Sequence, residues 1–204
     1  GTMTREVHDF LKAGVSRGDN IIVSGSTGSG KTTLLRGIAE FVDPSERVVT
    51  CEDTQELLLD IPNIVSMEAP RRKEEQGAVV ALSALIKTAL RQRPDRIIVG
   101  EIRDAAAADA FLQAINTGHR GCATSIHANS CLDAVKRIQY LIASNGLLDY
   151  DLCGRQVSSS VDCMIHVTRG FTGKRIFEVA IMEQGELKPA FKYDANLDVQ
   201  VPCN

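Results

Sequence analysis

The segment Gly25-Ser26-Thr27-Gly28-Ser29-Gly30-Lys31-Thr32 constrains this chain more than any other. It has the form G-x-x-x-x-G-K-[ST], and its setting fits. The apolar run at 20–24 enters it, and 32–41 leaves it with Leu34, Leu35, Ile38 and Phe41 at helical spacing. Glycines at this density let a backbone wrap around a small anion with its N–H groups turned inward. A helix starting there adds partial positive charge. Lys31 offers a point charge to β- and γ-phosphates, Thr32 a hydroxyl to Mg²⁺, and Thr33 continues the cradle into the helix. The expected ligand is a nucleoside triphosphate with Mg²⁺. ATP is expected rather than GTP, because no N-K-x-D base reader is present.

The rest of the chain alternates in the same way. Short apolar runs at 47–51, 63–67, 96–99 and 122–126 read as strands, and 4–16, 78–91, 105–116, 134–143 and 152–161 as helices. That alternation predicts an α/β fold, a mainly parallel sheet flanked by helices. The end changes character: 164–168, 176–182 and 187–193 are strand candidates joined by glycine-containing turns, which suits antiparallel pairing. No repeat or linker is visible, so 4–194 is expected to form one domain and 195–204 a tail. Gly1-Thr2, ahead of Met3, reads as a remnant outside the fold.

With 204 residues, 44% of them hydrophobic, the chain can build a substantial core. Its net charge of -3 predicts no stable binding of nucleic acid. No apolar run nears the roughly 20 residues of a membrane helix, and no signal peptide opens the sequence. The six cysteines include no C-x-x-C pair and read as reduced, packed thiols of a cytosolic protein.

Several charged residues fall where a phosphate chemist would want them. Ile97-Ile98-Val99-Gly100-Glu101 is an apolar strand that delivers an acid to its carboxyl end, so Glu101 is a candidate to polarise an attacking water. Many such strands carry an aspartate where this one has Gly100, which leaves metal contact to Thr32, water and phosphate. Glu52, Asp53 and Glu56 end the preceding strand; at least one of Glu52 and Glu56 is expected to orient water or a metal's hydration shell, with helix capping by Asp53 or Thr54 as the alternative. His119 and His127 bracket the strand at 122–126 and are candidates to sense a γ-phosphate. Of the arginines near Glu101, Arg93 and Arg103 are candidates to offset phosphoryl charge. The mixed run Arg71-Arg72-Lys73-Glu74-Glu75 reads as exposed loop with no site.

Taken in order, G-S-T-G-S-G-K-T, E-D-T-Q-E, R-Q-R-P-D-R-I-I-V-G-E-I-R-D, N-T-G-H-R-G and T-S-I-H-A-N resemble the type II/type IV secretion ATPase superfamily from about Arg5 to Glu183. The resemblance implies a RecA-like P-loop fold and an ATP-hydrolysing motor. It makes Lys31 and Thr32 the Walker A ligands of phosphate and Mg²⁺, puts Glu52 and Glu56 in the Asp box, makes Glu101 the Walker B glutamate, and puts His119 and His127 in the His box. Arg93 and Arg103 match arginines beside the Walker B strand. The absence of a tetracysteine insert points toward the secretion, conjugation and tight-adherence pilus branch. Such motors work as hexameric rings with membrane platform proteins at the cytoplasmic face of the inner membrane, and carry an N-terminal domain that nothing before Thr4 supplies. The expectation is therefore a C-terminal motor domain. A nucleic-acid-dependent translocase and a nucleotide-regulated docking module with little hydrolysis are the alternatives.

Overall fold

The computed structural model describes residues 2–69, 80–146, 148–170 and 173–203. Among them nine strands form one sheet: β1 Ile21–Gly25, β2 Val48–Glu52, β3 Ile64–Glu68, β4 Arg96–Val99, β5 Ala123–Ile126, β6 Cys163–Gly170, β7 Gly173–Glu183, β8 Glu186–Asp194 and β9 Val199–Pro202. Their spatial order is β3-β2-β4-β5-β1-β6-β7-β8-β9. Pairing is parallel from β3 across to β6 and antiparallel from β6 to β9. The mixed α/β architecture with antiparallel strands at its C-terminal end is the one the sequence pattern predicts.

Helices cover both faces. On one side α1 (Arg5–Arg17) and α2 (Lys31–Ala39) bury Val7, Leu11, Leu34, Leu35 and Ile38 against Ile21, Val23, Ile165 and Val167. On the other, α3 (Leu82–Ala89), α4 (Ala105–Asn116), α5 (Cys131–Ala143) and α6 (Tyr150–Ser160) close over Ile22, Val49, Ile97, Val99 and Met164. Strands β1, β2, β4 and β5 are buried along their whole length, so none shows the apolar–polar alternation of a half-exposed strand. Phe111 of α4 is wholly buried in the second core, and its truncation to alanine would cost about 3–5 kcal/mol. No helix among the described residues is long and apolar enough to cross a membrane.

Three expectations need correction. Residues 195–204 are not a bare tail, because Val199–Pro202 pairs with β8 as the edge strand. Its inward residue is polar: Gln200 is buried, accepts from the Thr4 N–H at 2.8 Å and donates to the carbonyls of Ile176 and Thr2 at 2.9 and 3.2 Å. Thr2 therefore belongs to the fold, and its carbonyl also takes the Ile176 N–H. The helix expected over 78–91 is α3 from Leu82 followed by a 3₁₀ turn Leu90–Gln92; Ala78, Val79 and the run 71–75 lie outside the described residues. The six cysteines are unpaired, all but Cys203 are buried, and burial pushes the Cys51 and Cys163 thiols up to about 12.

Candidate active site

The parallel register brings the carboxyl ends of β1, β2, β4 and β5 to one edge, where loops from four strands can share a ligand. The phosphate loop leaves β1 at Gly25, where a Cβ would collide with Ser29 Oγ and the Val167 carbonyl. Gly28 and Gly30 adopt φ of +72° and +104°, a left-handed geometry that favours glycine. Side chains cap the first turns of α1, α4, α5 and α6 but not those of α2 and α3, and at α2 the uncapped N–H groups open onto the phosphate loop, where an anion can take them. Ser29 Oγ is also buried without a partner.

Lys31 is 8% exposed, and its ammonium donates to the Ser26 carbonyl at 3.2 Å and to His127 Nδ1 at 3.3 Å. Burial holds its pKa below the usual lysine value, against the pull of Glu101. Glu101, just past β4, is the hub. Its Oε2 accepts from Arg103 Nε at 2.6 Å, and Arg103 also leans toward Asp53 at 3.8 Å. Its Oε1 is different. It is buried as an ion-pair neighbour of His127 Nε2 at 2.8 Å, which is off line for a hydrogen bond, and of Lys31 Nζ at 3.7 Å, which lies beyond hydrogen-bond reach. A buried carboxylate oxygen left in that state is a ready acceptor for a water or a proton.

Glu52 is buried at the end of β2, and its Oε1 accepts the N–H groups of Glu56 and Leu57, each at 3.0 Å. It thus ties down the acidic turn, the bonding role that the alternative reading gave to Asp53 or Thr54. Burial raises its pKa first of all, and the charges of Glu56 and Glu68 add to that. A Cβ on Gly100 would come within 3.0 Å of Glu52 Cγ, so the missing aspartate on β4 makes room for the carboxylate of β2. The resulting cleft of about 260 Å³ is lined by Thr27, Gly28, Lys31, Thr32, Glu52, Glu56, Glu101, Arg103 and His127 among the expected residues.

Arg93 and His119 do not join it. Arg93 precedes β4 and His119 precedes β5, so both sit at the amino edge of the sheet, away from the loop. His119 Nδ1 there lies 3.3 Å from the Thr117 hydroxyl. Gly25, Ser26, Ser29, Gly30 and Thr33 shape the loop without lining the cleft. Sequence reasoning passed over Ser125, which does line it: its hydroxyl donates to the Gly100 carbonyl at 2.7 Å and its carbonyl accepts the Ile102 N–H at 2.9 Å, bracketing Glu101. The available signal was its place on β5 two residues before His127, on the same side of the strand.

Comparison with known proteins gives the chain a family. The profile of the family described as "Type II/IV secretion system protein" matches residues 1–185. The chain belongs to that family. Relatives include a putative conjugal transfer protein of Mycobacterium tuberculosis, 41% identical over 166 residues, covering 81% of this chain and 47% of the relative. The type IV secretion system protein VirB11 of Brucella suis is 37% identical over 178 residues, covering 83% and 49%. Among solved structures, the Brucella suis VirB11 ATPase in complex with sulphate superposes with a TM-score of 0.78 at 33% identity, covering 86% of this chain and 52% of that one. The Legionella pneumophila ATPase DotB, at 23% identity and a TM-score of 0.71 over 86% and 49%, shares the fold. The chain therefore spans about half the length of the curated relatives it matches, and its fold is that of the family's RecA-like P-loop ATPases.

Proposed function

We propose that this chain hydrolyses Mg-ATP as the motor part of a type IV secretion, conjugation or pilus-assembly machine. The observation that carries the reading is Glu101 Oε1, buried beside Lys31 and His127 at the mouth of the phosphate loop with no aligned donor. The loop N–H groups and Lys31 hold the β- and γ-phosphates. Glu101 accepts from the attacking water, and His127, whose Nδ1 accepts from Lys31, turns its Nε2–H from Glu101 to the γ-phosphate. Arg103 holds Glu101 Oε2 in place and offsets charge around it.

The residues also fit Mg²⁺. No group of three or more acids, histidines or cysteines forms a closed cage among the described residues. The Thr32 hydroxyl, with water held by Glu52 and Glu56, suits an ion that keeps much of its hydration shell. When bound, such an ion supplies positive charge to the phosphate oxygens.

The ring belongs to the same proposal. Arg93 and His119, at the amino edge, are candidates to act on a neighbour's cleft in a homo-hexamer at the cytoplasmic face of the inner membrane, docked on secretion or pilus platform proteins. Mg-ATP turnover per subunit measured against protein concentration, with Lys31→Ala as blank, tests it. Specific activity that rises with concentration supports a site completed between subunits. Wild-type protein that neither binds nor turns over nucleotide sinks the proposal.

A further inference from the structure

The β6–β7 hairpin leans on the phosphate loop. The stem of Lys174 lies across Gly30, so that a Cβ on Gly30 would sit 2.8 Å from Lys174 Cδ and 3.6 Å from Cε. Directly opposite Lys174 in the antiparallel register is Arg169. Both are exposed, and neither side chain makes a hydrogen bond or ion pair among the described residues. Two like charges facing each other across a strand pair repel, an arrangement that an anion between or beside them would relieve.

The sheet order says which anion. The hydrolytic side chains come from β2, β4 and β5, all on one side of β1, whereas β6 and β7 lie on the other. A triphosphate whose γ end faces Glu101 and whose middle phosphate fills the loop must send its nucleoside end toward the hairpin. Charge argues the same way. The cleft holds Glu52, Asp53, Glu56 and Glu101 against Lys31 and Arg103, and Arg103 is already engaged by acids.

We infer that Lys174, supported by Arg169, is a nucleotide-binding residue that contacts the α-phosphate from the β6–β7 hairpin. The inference rests on the nucleotide reading of the cleft. It assigns the hairpin to affinity for the diphosphate portion, common to ADP and ATP, rather than to recognition of the γ-phosphate.

The test is calorimetric titration of Mg-ADP and of a non-hydrolysable Mg-ATP analogue into wild type, Lys174→Ala and Arg169→Ala/Lys174→Ala. Lys192→Ala, an exposed cation on β8, is the control. Lys174→Ala is expected to weaken both ligands by about fivefold at low salt, the double variant more, with the loss shrinking as salt screens it. Lys192→Ala should stay within about twofold. Unchanged affinity in Lys174→Ala beside a binding wild type overturns the hairpin assignment alone, as does a loss confined to the triphosphate analogue. A wild type that binds neither ligand removes the nucleotide reading itself. Equal melting temperatures of the free proteins exclude a folding defect.

Discussion

The two edges of the parallel sheet are made from similar residue types and treat them in opposite ways. At the amino edge Asn20, Ser160 and Arg96 are all satisfied. The Asn20 side chain donates to the Ser160 carbonyl at 2.9 Å and accepts the Cys122 N–H at 3.1 Å, while its own N–H goes to Asp162. Ser160 donates to Asn116 at 2.8 Å, and buried Arg96 is forked onto Glu46. At the carboxyl edge, Ser29 Oγ and Glu101 Oε1 are buried without hydrogen bonds, α2 starts uncapped, and Lys31 and Glu52 sit with pKa values displaced by burial. Polar groups that brace a fold are satisfied within it. Single atoms such as Thr50 Oγ1 and Gln156 Oε1 also lack partners, but it is the gathering of several such groups at one cleft that marks where the fold expects a ligand.

That contrast can be broken by substitution. Lys31→Met should abolish turnover, by a factor on the order of 10³, and erase the rise in melting temperature on adding Mg-ATP. The melting temperature of the free protein should not fall, because the change removes a charge that burial disfavours; a marked drop would mean that Lys31 is a structural group. Asn20→Ala should do the reverse. It strands buried partners and should cost about 2–3 kcal/mol in urea unfolding, with turnover per folded molecule nearly unchanged; a stable variant with lost activity would dissolve the distinction between the edges.

Smaller effects sharpen the picture. Gly100→Ala makes the Glu52 side chain give by a few tenths of an ångström and should cost roughly 1–2 kcal/mol of stability and about tenfold in turnover; wild-type kinetics would show that the Glu52 position is immaterial. The smallest effect belongs to His166, whose Nδ1 lies 3.0 Å from Ser24 Oγ under the loop. Burial lowers its pKa below 6.5, against the opposing fields of Glu178 and Asp133. The neutral form is the folded one, so its contribution is complete above pH 6.5 and is lost as pH falls through the lower folded value. His166→Asn should flatten the stability profile over that window by under about 1 kcal/mol, measured by unfolding between pH 7 and 5.

Most of the catalytic edge is legible from the sequence because strand ends are. Glu101 and His127 follow β4 and β5 within two residues and Lys31 closes the glycine loop that leaves β1, so naming the strand places the residue. Arg93 and His119 were drawn to the same site by nearness in sequence, but a residue before a parallel strand lies one strand length, roughly 13 Å for four residues, from one after it. The strand β9 left no trace because its inward residue is Gln200, which inverts the apolar alternation. Lys174 was invisible for another reason: its contact with Gly30 depends on β6 pairing with β1, which no local pattern reports.

The most direct test of the account is single-turnover hydrolysis of Mg-ATP with Glu101→Gln, beside a binding isotherm for the same variant. The substitution keeps the shape, the contact with Arg103 and the fold, and removes only the charge that can take a proton. ATP affinity should stay within about threefold of wild type while the rate falls at least about 10²-fold. Hydrolysis at the wild-type rate with ATP bound would contradict it and take Glu101 out of the chemistry.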